Sequence, residues 1–317
     1  MKSNETRISE FVLLGLTDVR KLQFLFLVIL FFSYLLTITG NFMIIVLANI
    51  DRRLHTPMYF FLWNFSVMEI GYTIIITPQT LSHLLTGHRN ISYVGCIVQC
   101  FTYFYLGTTE VFFFVVMSYD RYLAICNPLC YPSIMHKRLG TLLVFCCWIG
   151  SFLIHIGPFA VFLQFPMCNS NILDHFFCDS APLMRLLCGD TRLLEFFVSL
   201  IAVVLLFGTL FFSVVSYINI IRTIFNIPTA TGRKKAFSTW ASHFMVVSIA
   251  YGSSLFLYIN PTQTSKMGYA KRLAILNTIV SPLLTPFIYT LRNQQVREAF
   301  KDLLKQVAVF IKGPRKT

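Results

Sequence analysis

Charge is scarce in this chain. Only 12% of its 317 residues are charged, about half the ~25% of a soluble domain, and 13 acids face 26 Lys and Arg. With 56% of residues hydrophobic, that scarcity excludes a protein exposing most of its surface to water. No run alternates apolar and polar residues, which disfavours a β-barrel, and no internal repeat supports an inverted-repeat transporter. Nucleophile motifs, glycine-rich phosphate loops and His-Glu-x-x-His are all missing, so the chain is not expected to be an enzyme. The paired-Cys spacing of a zinc site is missing too. Residues 1–21 hold no apolar core followed by a small-residue cleavage site, so no removed signal peptide is expected.

What is abundant is long apolar sequence. Seven stretches, 22–48, 57–85, 92–119, 140–165, 196–221, 237–260 and 273–291, each reach or exceed the ~18 residues of a spanning helix. The expected fold is an all-α membrane protein, a seven-transmembrane helix bundle with a short amphipathic helix after span 7. Its expected divisions are an outer tail (1–21), the bundle (22–291), and an inner helix and tail (292–317). Seven spans put the termini on opposite faces, and the C-terminal face carries 16 of the 26 Lys and Arg. The positive-inside rule places that face in the cytoplasm and the N-terminus outside. The basic surplus then reads as topology and attraction to membrane lipid, not nucleic-acid binding. In 292–305, Val296, Phe300, Leu303 and Leu304 oppose Arg297, Lys301 and Lys305, the pattern of a helix lying on a leaflet. Asn4-Glu5-Thr6 is a glycosylation sequon on the expected outer face, and Asn90-Ile91-Ser92 a second one close to the membrane.

Residues 117–126 read Met-Ser-Tyr-Asp-Arg-Tyr-Leu-Ala-Ile-Cys, and the chain is organised around them. Asp120 and Arg121 end an apolar run whose only charge is Glu110. Glu110 lies 11 residues before Arg121, about three turns, so both share a helix face. Glu69 sits inside span 2 and must face the bundle interior. Gly40-Asn41 in span 1 suits close helix approach. Pro282 and Pro286 make span 7 kinked and rearrangeable. Of nine cysteines, Cys96, Cys168, Cys178 and Cys188 fall on the oxidising side, compatible with two disulfides in any of three pairings. Asp174, His175, Asp179 and Asp190 read as a solvated, disulfide-stapled outer loop rather than a metal site.

Together, Gly40-Asn41, 54–59, 117–126, Ser216-Tyr217, 235–244, 282–293 and the three-cysteine outer loop resemble an olfactory receptor of the rhodopsin-like G-protein-coupled class. The resemblance runs from about residue 8 to 305. It implies that Arg121 parts from Asp120 to engage a G protein, with Tyr122, Tyr217, His243, Pro286 and Tyr289 in the same switch. It implies Cys96–Cys178 and Cys168–Cys188 bridges. It makes Glu69 and Glu110 an acid pair at the polar centre, holding a sodium ion or a shared proton; no other cofactor is expected. Thr285 stands where the family usually has Asn, and Trp240 where it usually has Cys.

The resemblance also places a pocket in the outer half of the bundle, lined by Tyr103, Phe104, Gly107, Thr108 and Val111, by Ile201, Ala202 and Leu205, by Tyr251, Ser254, Leu255 and Tyr258, and by Thr278. Such a lining is apolar and aromatic with a few hydroxyls, suited to small, volatile, weakly polar ligands. Amines and carboxylates would find no ion partner there. The implied partners are an odorant, a stimulatory olfactory-type G protein acting through cyclic AMP, and trafficking chaperones. The implied location is the plasma membrane of olfactory cilia. The rival readings are a rhodopsin-like receptor for a non-odorant ligand and an ion path marked by Glu69 and Glu110.

Overall fold

The computed structural model describes residues 9–167, 170–259, 271, 274–292 and 294–312. In chain order it forms β1 (Glu10–Leu13), α1 (Arg20–Ile50), α2 (Pro57–Thr86), β2 (Asn90–Ser92), α3 (Tyr93–Cys126), α4 (Tyr131–Ile134), α5 (Lys137–Phe162), β3 (Ile172–Leu173), α6 (Ser180–Met184), α7 (Arg192–Phe225) and α8 (Ala230–Ile259). A π-helical turn, Leu276–Val280, then leads into α9 (Ser281–Arg292), and α10 (Gln294–Lys312) follows.

Helix ends follow local chemistry. Pro57 opens α2 at a position whose N–H needs no partner. Gly87 closes it at φ +75°, a conformation that favours glycine. Ser92 starts α3 by accepting a bond from the Gly95 amide at 3.1 Å. Even α5, at 26 residues, reaches ~39 Å, more than the ~30 Å hydrocarbon core. Among the described residues α1, α2, α3, α5 and α7 are long and apolar enough to cross a membrane. The 30-residue α8 and the segment from Leu276 through α9 supply the remaining two crossings of a seven-helix bundle.

The bundle is apolar on its outside as well as its inside. Phe24, Phe32 and Phe42 on α1 and Phe211 and Phe212 on α7 are exposed, whereas Phe61, Phe65, Phe113 and Phe114 are fully buried. The first set is what a helix shows to lipid. α3 packs against α2, α5, α7 and α8, and α1 against α2 and α9. Several hydroxyls inside the spans bond the carbonyl four residues back, as Thr73 does to Glu69, Thr209 to Leu205 and Ser151 to Cys147, which satisfies them within their own helix. A Cβ added to Gly40 would stand 2.8 Å from the Pro286 Cβ. That close approach seats α9 against α1.

At the outer end, part of the expected tail, Glu10–Leu13, joins a small sheet. β1 pairs antiparallel with β2 and parallel with β3, giving a sheet of order β2-β1-β3. Phe11 and Leu13 are fully buried in an outer core with Cys96, Cys178, Leu173, Leu183 and Leu187. At the inner end α10 buries Val296 and Ala299. Tyr59 donates to Gln295 at 2.8 Å, and Arg53 meets Asp302 at 2.9 Å. Asn4 and Cys168 lie outside the described residues.

Candidate functional site

The outer end of α3 is tied to the loop between α5 and α7. Cys178 is disulfide-bonded to Cys96 at the top of α3, and its amide donates to Gln99 Oε1 at 2.9 Å. Gln99 in turn donates to the Ile75 carbonyl and Gln79 of α2, both at 2.7 Å. Thus fixed, the loop lowers Phe177 onto Tyr103, ring centroids 4.7 Å apart, while Tyr103 packs on Tyr72 at 5.2 Å and on Phe104 at 5.1 Å. Cys188 is also disulfide-bonded.

Two residues here had escaped the sequence reading. His155 on α5 stacks on Phe104 and lies 3.4 Å from Thr108 Oγ1, and its Nδ1 contacts the Ser151 carbonyl at 3.0 Å. A carbonyl only accepts, so in neutral His155 the proton sits on Nδ1 and Nε2 accepts from Thr108. Phe177 is the second. A polar ring in an apolar span is a readable signal, since such groups need partners; nothing local singles out Phe177.

The expected lining residues do not all share one wall. Tyr103, Phe104 and Val111 are half-buried on α3. Gly107 turns to Tyr72, whose ring a Cβ would meet at 3.9 Å, and Thr108 turns to α5. Ile201, Ala202 and Leu205 are half-buried on α7. Tyr251 is buried on α8, its ring 6.0 Å from Phe114. Thr278 lies with Ser33, Tyr34, Thr37, Thr73 and Thr77 between α1, α2 and the π-helical turn, and it bonds the Ala274 carbonyl at 2.7 Å. The side chains of Ser254, Leu255, Tyr258, His243 and Tyr289 lie outside the described residues.

Deeper in the bundle, Glu69 is buried, within electrostatic reach of Glu110, and accepts from Thr285 Oγ1 at 3.3 Å. Thr285 thus keeps a polar link to the acid pair where the family usually has Asn. Among the described residues no group of three or more His, Cys, Asp or Glu could hold a metal.

At the inner end Asp120 is buried and ion-paired with Arg121. Tyr131 of α4 donates to the other carboxylate oxygen at 2.8 Å. Sequence reading missed this tyrosine, whose role depends on a loop folding back under α3. Burial and the adjacent Asp120 charge push its phenol above the usual range. Ser118 donates to Tyr217 Oη at 3.2 Å, and Tyr217 meets Phe244 edge-on at 5.5 Å. Tyr122 packs half-buried against the core. Pro286 is buried against α1.

In the outer loop, burial and the nearby Lys271 charge depress His175 to about 4, and burial raises Asp179 to about 6. Lys271 reaches Asp174 at 2.5 Å and the Gly15 carbonyl at 3.2 Å. Asp174, His175 and Asp179 therefore fasten a folded cap, where a solvated loop was expected. Asp190 is exposed and pairs with Arg192 at 2.9 Å.

The comparisons agree with this architecture. The olfactory receptor family model matches residues 30–307. Olfactory receptor 6C3 of Homo sapiens is 50% identical over 307 residues, covering 97% of this chain and 99% of the relative. Olfactory receptor 6E1 of Mus musculus is 48% identical over 309 residues, covering 97% and 99%. Among solved structures, squid rhodopsin superposes with a TM-score of 0.69 at 18% identity, over 89% of this chain and 80% of that one, which supports the fold. A receptor of this kind is not an enzyme; it takes a small-molecule ligand and a G protein as partners. The chain belongs to the olfactory receptor family.

Proposed function

We propose that this receptor binds small, volatile, weakly polar odorants in the outer half of its bundle and activates a stimulatory heterotrimeric G protein, raising cyclic AMP. The observation that carries the reading is the Phe177–Tyr103 contact at 4.7 Å. It supports an aromatic chamber under a tethered loop, at the top of the helix whose inner end holds the Asp120–Arg121 pair. A ligand that prefers a rearranged chamber would shift the bundle toward the state in which Arg121 leaves Asp120. Tyr217, whose hydroxyl now accepts from Ser118, is positioned to take part.

Glu69, Glu110 and the Thr285 hydroxyl are hard oxygen donors on adjacent spans. We assign them either a shared proton or a sodium ion whose charge the carboxylates would balance. The charge asymmetry supports an N-terminus outside and a C-terminus in the cytoplasm. Asn4 would then be glycosylated, with Asn90, exposed on β2, a second acceptor. A Cys168–Cys188 bridge, assembly with trafficking chaperones and delivery to olfactory cilia complete the proposal.

Cyclic AMP in cells with confirmed surface receptor, challenged with esters, ketones and alcohols, tests it. The expected result is a response that Arg121→Ala abolishes. A response surviving Arg121→Ala, or responses to charged amines alone, would overturn it.

A further inference from the structure

Between the inner ends of α7 and α8 lies a cleft of about 410 Å³ lined by Ile221, Ile224, Phe225, Ala230, Arg233 and Phe237. That volume is within the ~300–1,000 Å³ of small-molecule sites. Its walls are two helix faces, one at spacings of three and four on α7 and one at three and four on α8. All are apolar or aliphatic except Arg233.

The cleft opens away from the bundle centre. On α7 the side facing α3 is marked by buried Tyr217, Ile220 and Ile224 and by Thr223, which donates to Cys126 at 3.2 Å. Ile221 and Phe225 each stand one residue, about 100°, beyond that face. They are 37% and 72% exposed, and Phe237 across the cleft is 53% exposed. Aromatic and branched side chains this open face hydrocarbon, not a protein core.

The charge is one-sided. Between Glu195 and Glu298 the chain holds no acid, while Arg222, Arg233, Lys234 and Lys235 cluster at the inner ends of α7 and α8. Among the described residues no carboxylate pairs with Arg233. An apolar slot with one unneutralised guanidinium at its mouth fits an amphiphile with an acyl chain and an anionic head.

We propose that this cleft is a binding site for an anionic phospholipid of the adjoining leaflet. One acyl chain would run between Ile221, Phe225 and Phe237, with the headgroup phosphate on Arg233. The inference depends on the orientation proposed above only for naming that leaflet the cytoplasmic one. A partner peptide is the less suitable occupant, because the exposed Ile221, Phe225 and Phe237 line a slot that opens away from the bundle centre.

The test is lipid selectivity of the purified full-length receptor in phosphatidylcholine nanodiscs, using acyl-chain spin-labelled phosphatidylserine or phosphatidylcholine as probe. The motionally restricted fraction should favour phosphatidylserine about fivefold, the worth of one basic side chain at the surface. Arg233→Gln should reduce that preference toward unity, while Arg222→Gln, on the exposed surface outside the cleft, should leave most of it. Ala230→Phe, which fills the slot and keeps every charge, should lower the restricted fraction of both lipids, and it serves if Arg233→Gln does not fold. Equal losses with Arg222→Gln and Arg233→Gln would mean diffuse surface attraction and overturn the site. So would displacement of the labelled lipid by a peptide copying a stimulatory G-protein C-terminus.

Discussion

The two ends of the bundle are held by different kinds of contact. At the outer end the Cys96–Cys178 disulfide, a three-stranded sheet, a fully buried Phe11–Leu13 pair and the Lys271–Asp174 ion pair join the N-terminal segment, the long loop and α3 into one cap. The inner end is held by small polar contacts: Arg121 on Asp120, Tyr131 on Asp120, Ser118 on Tyr217, and Thr223 on Cys126. Covalent and sheet contacts are lost together or not at all. A neutral hydrogen bond costs about 1 kcal/mol net to break and one to a charged group about 1.5–3, so the function proposed above puts the rearrangement at the inner end.

Cutting the cap should have the largest effect. Cys178→Ala removes the bridge and should lower stability by about 2–5 kcal/mol, abolishing surface expression at 37 °C. Cys100→Ala, which removes a free buried thiol, should leave most receptor at the surface. Comparable loss in both would mean that the bridge is not what holds the cap. Gly40→Ala comes next, because its methyl would enter Pro286 at 2.8 Å. Overpacking of that kind costs about 1–3 kcal/mol, readable as a lower melting temperature in detergent.

Acidity acts on the cap through two opposed groups. His175 titrates near 4 in the folded cap against about 6.5 unfolded, so its contribution is lost as pH falls from 6.5 toward 4. Asp179 titrates near 6 when folded against about 3.8 unfolded, so its contribution is lost as pH rises through 6. Each variant should expose the other group. Between pH 7 and 5, amide protection in β1 and β3 should fall roughly tenfold in Asp179→Asn and rise roughly tenfold in His175→Gln. Identical profiles in both would remove burial of these groups as the cause. The smallest effect belongs to Arg53→Ala, whose own side chain is exposed where it pairs with Asp51 and Asp302. Solvent screens exposed pairs of this kind, and Tyr59→Phe, which breaks the half-buried bond to Gln295, should lower the melting temperature more in the same assay.

The difference between the ends also separates what could be read from the sequence from what could not. Spans are legible because twenty consecutive apolar residues have one interpretation near a membrane. The Asp120–Arg121 pair is legible because adjacent charges in such a run demand a reason. β1 is not, because its partners are two or three residues long and about eighty and one hundred sixty positions away, too short for any periodicity. α8 begins at Ala230, ahead of the apolar run, because Arg233 and its basic neighbours extend the helix beyond the lipid. Tyr131 and Phe177 owe their places to loops folding back, which no local pattern encodes.

The most direct test of the inner end as the switch is ligand-free cyclic AMP in Tyr131→Phe at matched surface expression. Losing the hydroxyl frees one side of Asp120, and about 1 kcal/mol of lost locking should raise basal signal about fivefold. Adding Arg121→Ala should abolish the rise. A Tyr131→Phe receptor that reaches the surface and signals no more than the parent would contradict the account.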